Sequence, residues 1–224
     1  MAVKKRVSQI RNQLRGALHL SFPELSNVIK DITQPTALRF LQSNPTPEFV
    51  MMNGRKRFLE KWRPRRKCGQ WRPEKLNMIY DLAKESIGLR DPYRSDAFEI
   101  KTLAADLAET LSTQQVWLNQ AIEIIENRAD FKLLLTLPRI GKPTAVAILT
   151  AIGDIGEYTN GKQLVKLAGL DIRYFESGSS IKRGPRISHV GSAYLRHWVF
   201  HFSLRLIAHV PEFKLIFQNY KEKS

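Results

Sequence analysis

Apolar residues recur at steps of three and four through Val3, Val7, Ile10, Leu14 and Leu18, with Lys and Arg between them. That spacing predicts an amphipathic helix over residues 3–20 with a basic outer face. A second helix is expected from Ser21, as N-cap ahead of Pro23, to about Leu41, where "NPTPEF" breaks it. Asp96 and Glu99 have the spacing of a capping box, and the helix they open runs to about Arg128. Along it Ile100, Ala104, Leu107, Leu111, Gln114, Leu118, Ala121 and Ile125 form a seam at alternating steps of four and three. At ~1.5 Å per residue this is a rod of roughly 50 Å. Its seam needs a partner, either other helices of the chain or the same helix of a second copy.

Further on, "LLLTLPRIGKPTAVAILTAIGD" reads as two helices joined by a tight turn. Leu133, Leu134 and Leu137 end the first, Pro143 starts the second, and the nearly all-apolar run from Thr144 to Ile152 is expected to be buried. A short helix follows from Gly161 to Ala168, stopped by Gly169 in a left-handed cap. The alternation in "LDIRYFES" predicts a short β-hairpin turning at Gly178. A last helix starts at Ser192 with Leu195, Val199, Phe202 and Leu206 inward. The fold class is therefore mainly α: a long coiled-coil-like helix plus a helical C-terminal domain with a helix-hairpin-helix-like element and one short β-hairpin. The segments are 1–50, helical; 51–95, basic and partly irregular; 96–130, the long helix; and 131–224, the C-terminal domain.

Charge narrows the function. Among 224 residues, 36 Lys and Arg against 21 Asp and Glu leave a formal +15. A surface this basic repels itself unless it meets a polyanion, so nucleic acid is the partner to test first. The run Arg55–Lys75 concentrates ten Lys or Arg against two Glu, with Phe58, Trp62 and Trp71 interleaved. Such rings can stack on bases, or they can anchor a solvated basic segment to the core. No apolar run is long enough to span a bilayer, and the first residues lack a signal peptide's apolar stretch. The single Cys68 excludes an internal disulfide and a cysteine-based zinc site, so a cytoplasmic, nucleoid-associated location is expected.

The turn "LPRIGKPTA" has its own chemistry, because N–H groups at the start of the second helix can meet phosphate oxygens. It resembles a helix-hairpin-helix element, with Arg139 standing where that pattern has its first glycine, and with Gly141 and Lys142 beside it. The order of the Pro-Gly turn, "IGD", "KQLVKLAGL", a Ser-Gly pair, a basic stretch and "IS..G...LR" covers some seventy residues. In this order the segment resembles the C-terminal domain of insertion-sequence 110/116/902 transposases, which include Piv-type DNA invertases.

That resemblance implies DNA strand exchange, in some members guided by an element-encoded RNA. It implies a serine nucleophile in the Ser-Gly pair, here Ser177 and Gly178. DNA contacts are then expected from Arg139, Gly141, Lys142, Lys182, Arg183, Arg186 and Arg196. Without the resemblance, Ser177 would read as a turn residue, as Ser179, Ser180, Ser188 and Ser192 do. The family also carries a ribonuclease-H-like domain with four metal-binding acids ahead of the helix that resembles "KKRVSQIRNQL". None of those acids has a counterpart here, so residues 1–50 read as the helical part following that domain. The chain is expected to be truncated and inactive alone, with no cofactor of its own and Mg²⁺ only if another chain supplies a nuclease domain. The partner expected through the 96–128 helix is a second copy of this chain or a full-length transposase, and only the latter would bring the acids. A metal at His197, His201 and His209 is the weaker reading, since no carboxylate stands beside them. The competing function is a non-catalytic protein that binds a phosphate backbone.

Overall fold

A computed structural model describes residues 2–62, 71–89, 95–175 and 183–222. Among them are helices α1 (Ala2–Ser21), α2 (Leu25–Val28), α3 (Pro35–Ser43), α4 (Pro47–Met51), α5 (Gly54–Trp62), α6 (Pro73–Glu85) and α7 (Ser95–Ile125). They continue with α8 (Ala129–Thr136), α9 (Lys142–Ile152), a 3-10 turn (Ile155–Glu157) and α10 (Gly161–Leu167). Strands β1 (Ile172–Phe175) and β2 (Arg183–Ile187) then precede α11 (Ala193–His209) and α12 (Pro211–Glu222). The fold is mainly α, as the pattern predicts, and divides into units 1–116 and 117–224.

In the N-terminal unit, α1 buries Ile10, Leu14 and Leu18, the stripe expected of it. The single helix expected from Ser21 to Leu41 is a correction. Ser21 is the last residue of α1, its hydroxyl donating to the Ala17 carbonyl at 3.1 Å. The chain then makes the one-turn α2, breaks, and restarts at α3 with Pro35 in its first turn. The break lies at Ile29–Gln34, where Asp31 accepts from the hydroxyl and the N–H of Thr33. Such local side-chain bonds compete with a continuing helix.

The basic segment also gains structure. Residues 54–62 and 73–85 are helical, and Phe58 and Trp71 join the core. Phe40 is the hub, with its ring centroid 6.3 Å from Phe58, 5.2 Å from Trp62 and 5.0 Å from Trp71. These rings bind the segment to its own core, which corrects the base-stacking alternative for Phe58 and Trp71.

Helix α7 answers the seam question from within the chain. Ile100, Ala104 and Leu107 are wholly buried in the N-terminal core, with Leu111 packed against it. Leu118, Ala121 and Ile125 pack against the core of the C-terminal unit. Two cores thus share one helix, and the seam is covered by intrachain contacts.

The C-terminal unit is built on α9. Phe131 of α8 meets Ala145, Val146 and Leu149 on one side. Ile148 meets Ala168 and Leu195 on the other. The run expected to be buried to Ile152 is buried from Thr144 to Leu149, while Thr150 is exposed and Ala151 and Ile152 are half-buried at the end of the helix. The final helix, capped by Ser192 and burying Leu195, Phe202 and Leu206, also forms as expected. α12 was not anticipated.

Candidate functional site

Two helices and a turn present the first candidates. α8 starts where Asp130 accepts two bonds from Arg128, at 3.0 and 2.6 Å, and one from the Phe131 N–H at 2.8 Å. The bond from Arg128 and the attraction of its charge hold the Asp130 carboxyl below its ordinary range, against the opposing effect of burial. α9 starts at Lys142 after Gly141, whose carbonyl accepts from the N–H groups of Thr144 and Ala145.

Arg139, Gly141 and Lys142 are all exposed at this turn. Arg139 has φ 65°, the left-handed conformation that glycine would occupy without penalty. The turn therefore has glycine geometry at the position where the sequence departs from glycine. Gly141, by contrast, has an ordinary φ of −103°, and an added Cβ would meet only Pro143 Cδ, at 3.6 Å. Nothing in the chain requires glycine there, so the position is open to close approach from outside.

The second group surrounds the β-hairpin. α10 is opened by Asn160, whose side chain accepts from the Gln163 N–H, while Gln163 accepts in return from the Thr159 N–H. It ends in a Schellman cap. Gly169 has φ 63°, and the N–H groups of Leu170 and Gly169 reach the Val165 and Lys166 carbonyls.

Across this end runs the loop 188–192. Ser188 donates from its hydroxyl to the Asp171 carboxylate and from its N–H to the Asp171 carbonyl. His189 and Ser192 donate from their N–H groups to the carbonyls of Gly169 and Leu167. A Cβ on Gly191 would lie 2.4 Å from the Leu167 carbonyl oxygen. Arg196 donates to the Ala168 carbonyl at 2.8 Å.

β1 and β2 pair antiparallel, Ile172 with Ile187 and Arg173 with Arg186, with an irregularity before the Phe175–Arg183 pair. The residues of "IS..G...LR" thus act as a clasp that ties the hairpin's base to α10 and α11. This latch was only partly legible in advance. Ser188 reads as an ordinary turn serine, and its partner Asp171, seventeen residues earlier, carries no signal of its own.

The predicted residues are distributed as follows. Arg139, Gly141 and Lys142 come together. Arg183 and Arg186 lie on β2, with Arg186 exposed. Arg196 is half-buried and supports the end of α10. Ser177 and Lys182, with the turn expected at Gly178, lie outside the described residues. His197 and His201 stack edge to face at 4.4 Å on α11. Among the described residues, no group of three or more His, Cys, Asp or Glu side chains could hold a metal ion. The described residues therefore do not fit a divalent-metal centre. No described helix is long and apolar enough to cross a membrane.

A helical unit whose αα-turn and clasped β-hairpin follow one another in this order defines a class of domain, and comparison with known proteins gives it a family. Residues 131–218 match the Transposase IS116/IS110/IS902 family, so this C-terminal part of the chain belongs to that family. Over 87 residues the chain is 38% identical to the pilin gene-inverting protein of Moraxella bovis, covering 38% of this chain and 26% of that one. Its counterpart in Moraxella lacunata is 40% identical over 68 residues, 30% of this chain and 21% of that protein. An uncharacterized 43.6 kDa protein of insertion element IS110 from Streptomyces coelicolor is 24% identical over 178 residues, 78% of this chain and 44% of that protein. The chain thus spans less than half the length of each relative. No solved structure matches.

Proposed function

We propose that this chain acts in DNA transposition or site-specific inversion, its C-terminal unit gripping the DNA backbone and presenting Ser177 as the nucleophile. The observation that carries the reading is Arg139. An arginine in a left-handed turn costs about 1–2 kcal/mol relative to a residue free of that strain. Retaining it at an exposed turn beside Lys142 and the start of α9 is consistent with a cation needed for phosphate. Arg186, on β2, adds a third exposed cation.

Ser177 lies in sequence between the two strands whose base the clasp fixes. Its hydroxyl oxygen would attack a DNA phosphorus, forming an ester to the serine as the bond to the strand's deoxyribose oxygen breaks. Partners on this reading are DNA, an element-encoded RNA, and a second transposase chain. Trp117 and Ile124, seven residues apart on α7 and 55% and 80% exposed, give such a chain apolar contacts.

The test mixes the protein with DNA carrying an end of its mobile element, with and without a full-length relative and Mg²⁺. A covalent adduct on a denaturing gel that disappears in Ser177→Ala is expected. Retardation of DNA without an adduct in either mixture overturns the nucleophile and leaves the non-catalytic binding role.

A further inference from the structure

The last helix, α12, leaves a hydrophobic stripe uncovered. Phe213, Ile216, Phe217 and Tyr220 fall within about 100° of its circumference, with Leu215 on the opposite side. The four are 38%, 51%, 49% and 73% exposed, and no residue of α12 is buried. Twelve residues are marginal as a free helix in water, and a helix of this length owes its stability to a covered apolar face. Contacts within the chain leave that cover incomplete.

Charge indicates what completes it. The chain carries a formal +15, so two copies repel each other across most of their surface. α12 is itself neutral, with Glu212 and Glu222 against Lys214 and Lys221. An acidic partner would be drawn to the basic surfaces, whereas a neutral stripe lets an equally basic copy approach.

The borders of the stripe choose the orientation. Glu212 borders it on one side, Lys214 and Lys221 on the other. None of the three makes an ion pair among the described residues. Antiparallel packing about a two-fold axis sets each border against its own kind, Lys214 beside Lys221. Parallel packing sets Lys214 beside Glu212 of the second copy, and does so at both edges.

The area sets the strength. At roughly 200 Å² for a fully exposed side chain of this size, the four leave about 400 Å² open in each copy. With the stems of the bordering lysines, a pair buries on the order of 1,000 Å², which suits a weak, reversible dimer.

We propose that α12 is a self-association surface, pairing in parallel with α12 of a second copy through Phe213, Ile216, Phe217 and Tyr220. It depends neither on the reaction at Ser177 nor on the exposed residues of α7.

Sedimentation equilibrium of the full chain without nucleic acid, between about 1 and 300 µM, tests this. The average mass should rise towards twice its dilute value, with a Kd of about 50 µM. Phe213→Glu combined with Phe217→Glu holds the mass at its dilute value, while Tm stays close to the parent's because α12 adds no buried residue to the core. Glu212→Lys and Lys214→Glu keep the stripe intact, and each alone weakens association about fivefold. An equimolar mixture of these two variants regains the parent's Kd, because both edges then pair opposite charges. Mass that stays constant up to about 300 µM, or charge variants that the mixture does not rescue, overturns the proposal. So does a rise in mass that survives the double phenylalanine variant, which moves association to another face such as that of Trp117 and Ile124.

Discussion

At the scale of single residues, Arg139 holds strain that glycine would release. Arg139→Gly relieves the left-handed penalty but frees the unfolded chain, so a net stabilisation of up to about 1 kcal/mol is expected in urea unfolding. The same variant loses DNA affinity, and its salt slope, log Kd against log salt, falls by about one charge. Unchanged binding would make the cation incidental.

Gly191 has the opposite character. Its φ is 151°, and any Cβ there collides with the Leu167 carbonyl. Gly191→Ala should cost about 2–4 kcal/mol by breaking the clasp, read as an earlier unfolding transition of the C-terminal unit.

Glu24 governs a pH effect. Burial raises its carboxyl, but the Ile87 N–H and the Ser86 hydroxyl outweigh this and hold it below its ordinary value. A depressed folded value means stability present above the ordinary carboxylate range and lost as pH falls through the folded value. The partly exposed group contributes about 1 kcal/mol or less. Tm measured from pH 7 down to pH 3 should therefore fall less steeply in Glu24→Gln than in the parent.

At the scale of elements, the αα-turn and the clasp divide the basic residues by role. Lys142→Ala should weaken DNA binding at unchanged stability. Arg196→Ala should destabilise the unit, because the Ala168 carbonyl at the end of α10 loses its donor. Titration of labelled DNA beside thermal melts separates the two outcomes.

Elements written in one periodic stretch were legible: α1, α7, α9 and α11 follow directly from the spacing of their apolar residues. The cap at Gly169 and the N-cap at Ser192 were equally plain, because each depends on bonds within five residues. What escaped depends on distance or competition. The break between α2 and α3 arises where Asp31 and Thr33 bond to each other in place of a helix. Trp71 and Phe58 are called inward by Phe40, from a separate helix. α12 has no buried residue, so no core contact marks its apolar positions. At the candidate site, the αα-turn was readable from its two prolines and its glycine, whereas the Asp171–Ser188 latch needs the fold to bring the two together.

At the scale of the molecule, α7 carries two independent sets of core contacts, Ile100 to Leu111 on one core and Leu118 to Ile125 on the other. Each unit's stability therefore has its own determinants, although a helix without interruption joins them. Leu107→Ala removes a wholly buried side chain from the first core, and Phe131→Ala removes one from the second. Losses of about 2–5 kcal/mol are expected for each. Amide hydrogen exchange locates them: Leu107→Ala should speed exchange in α1, α3 and α6, and Phe131→Ala in α9. Cooperative unfolding would spread both losses equally over all helices. Exchange confined to the mutated unit would instead make the two cores separate folding units. In that case the cations proposed to grip DNA keep their geometry when the N-terminal unit opens, and Leu107→Ala is expected to leave DNA affinity at the parent's value.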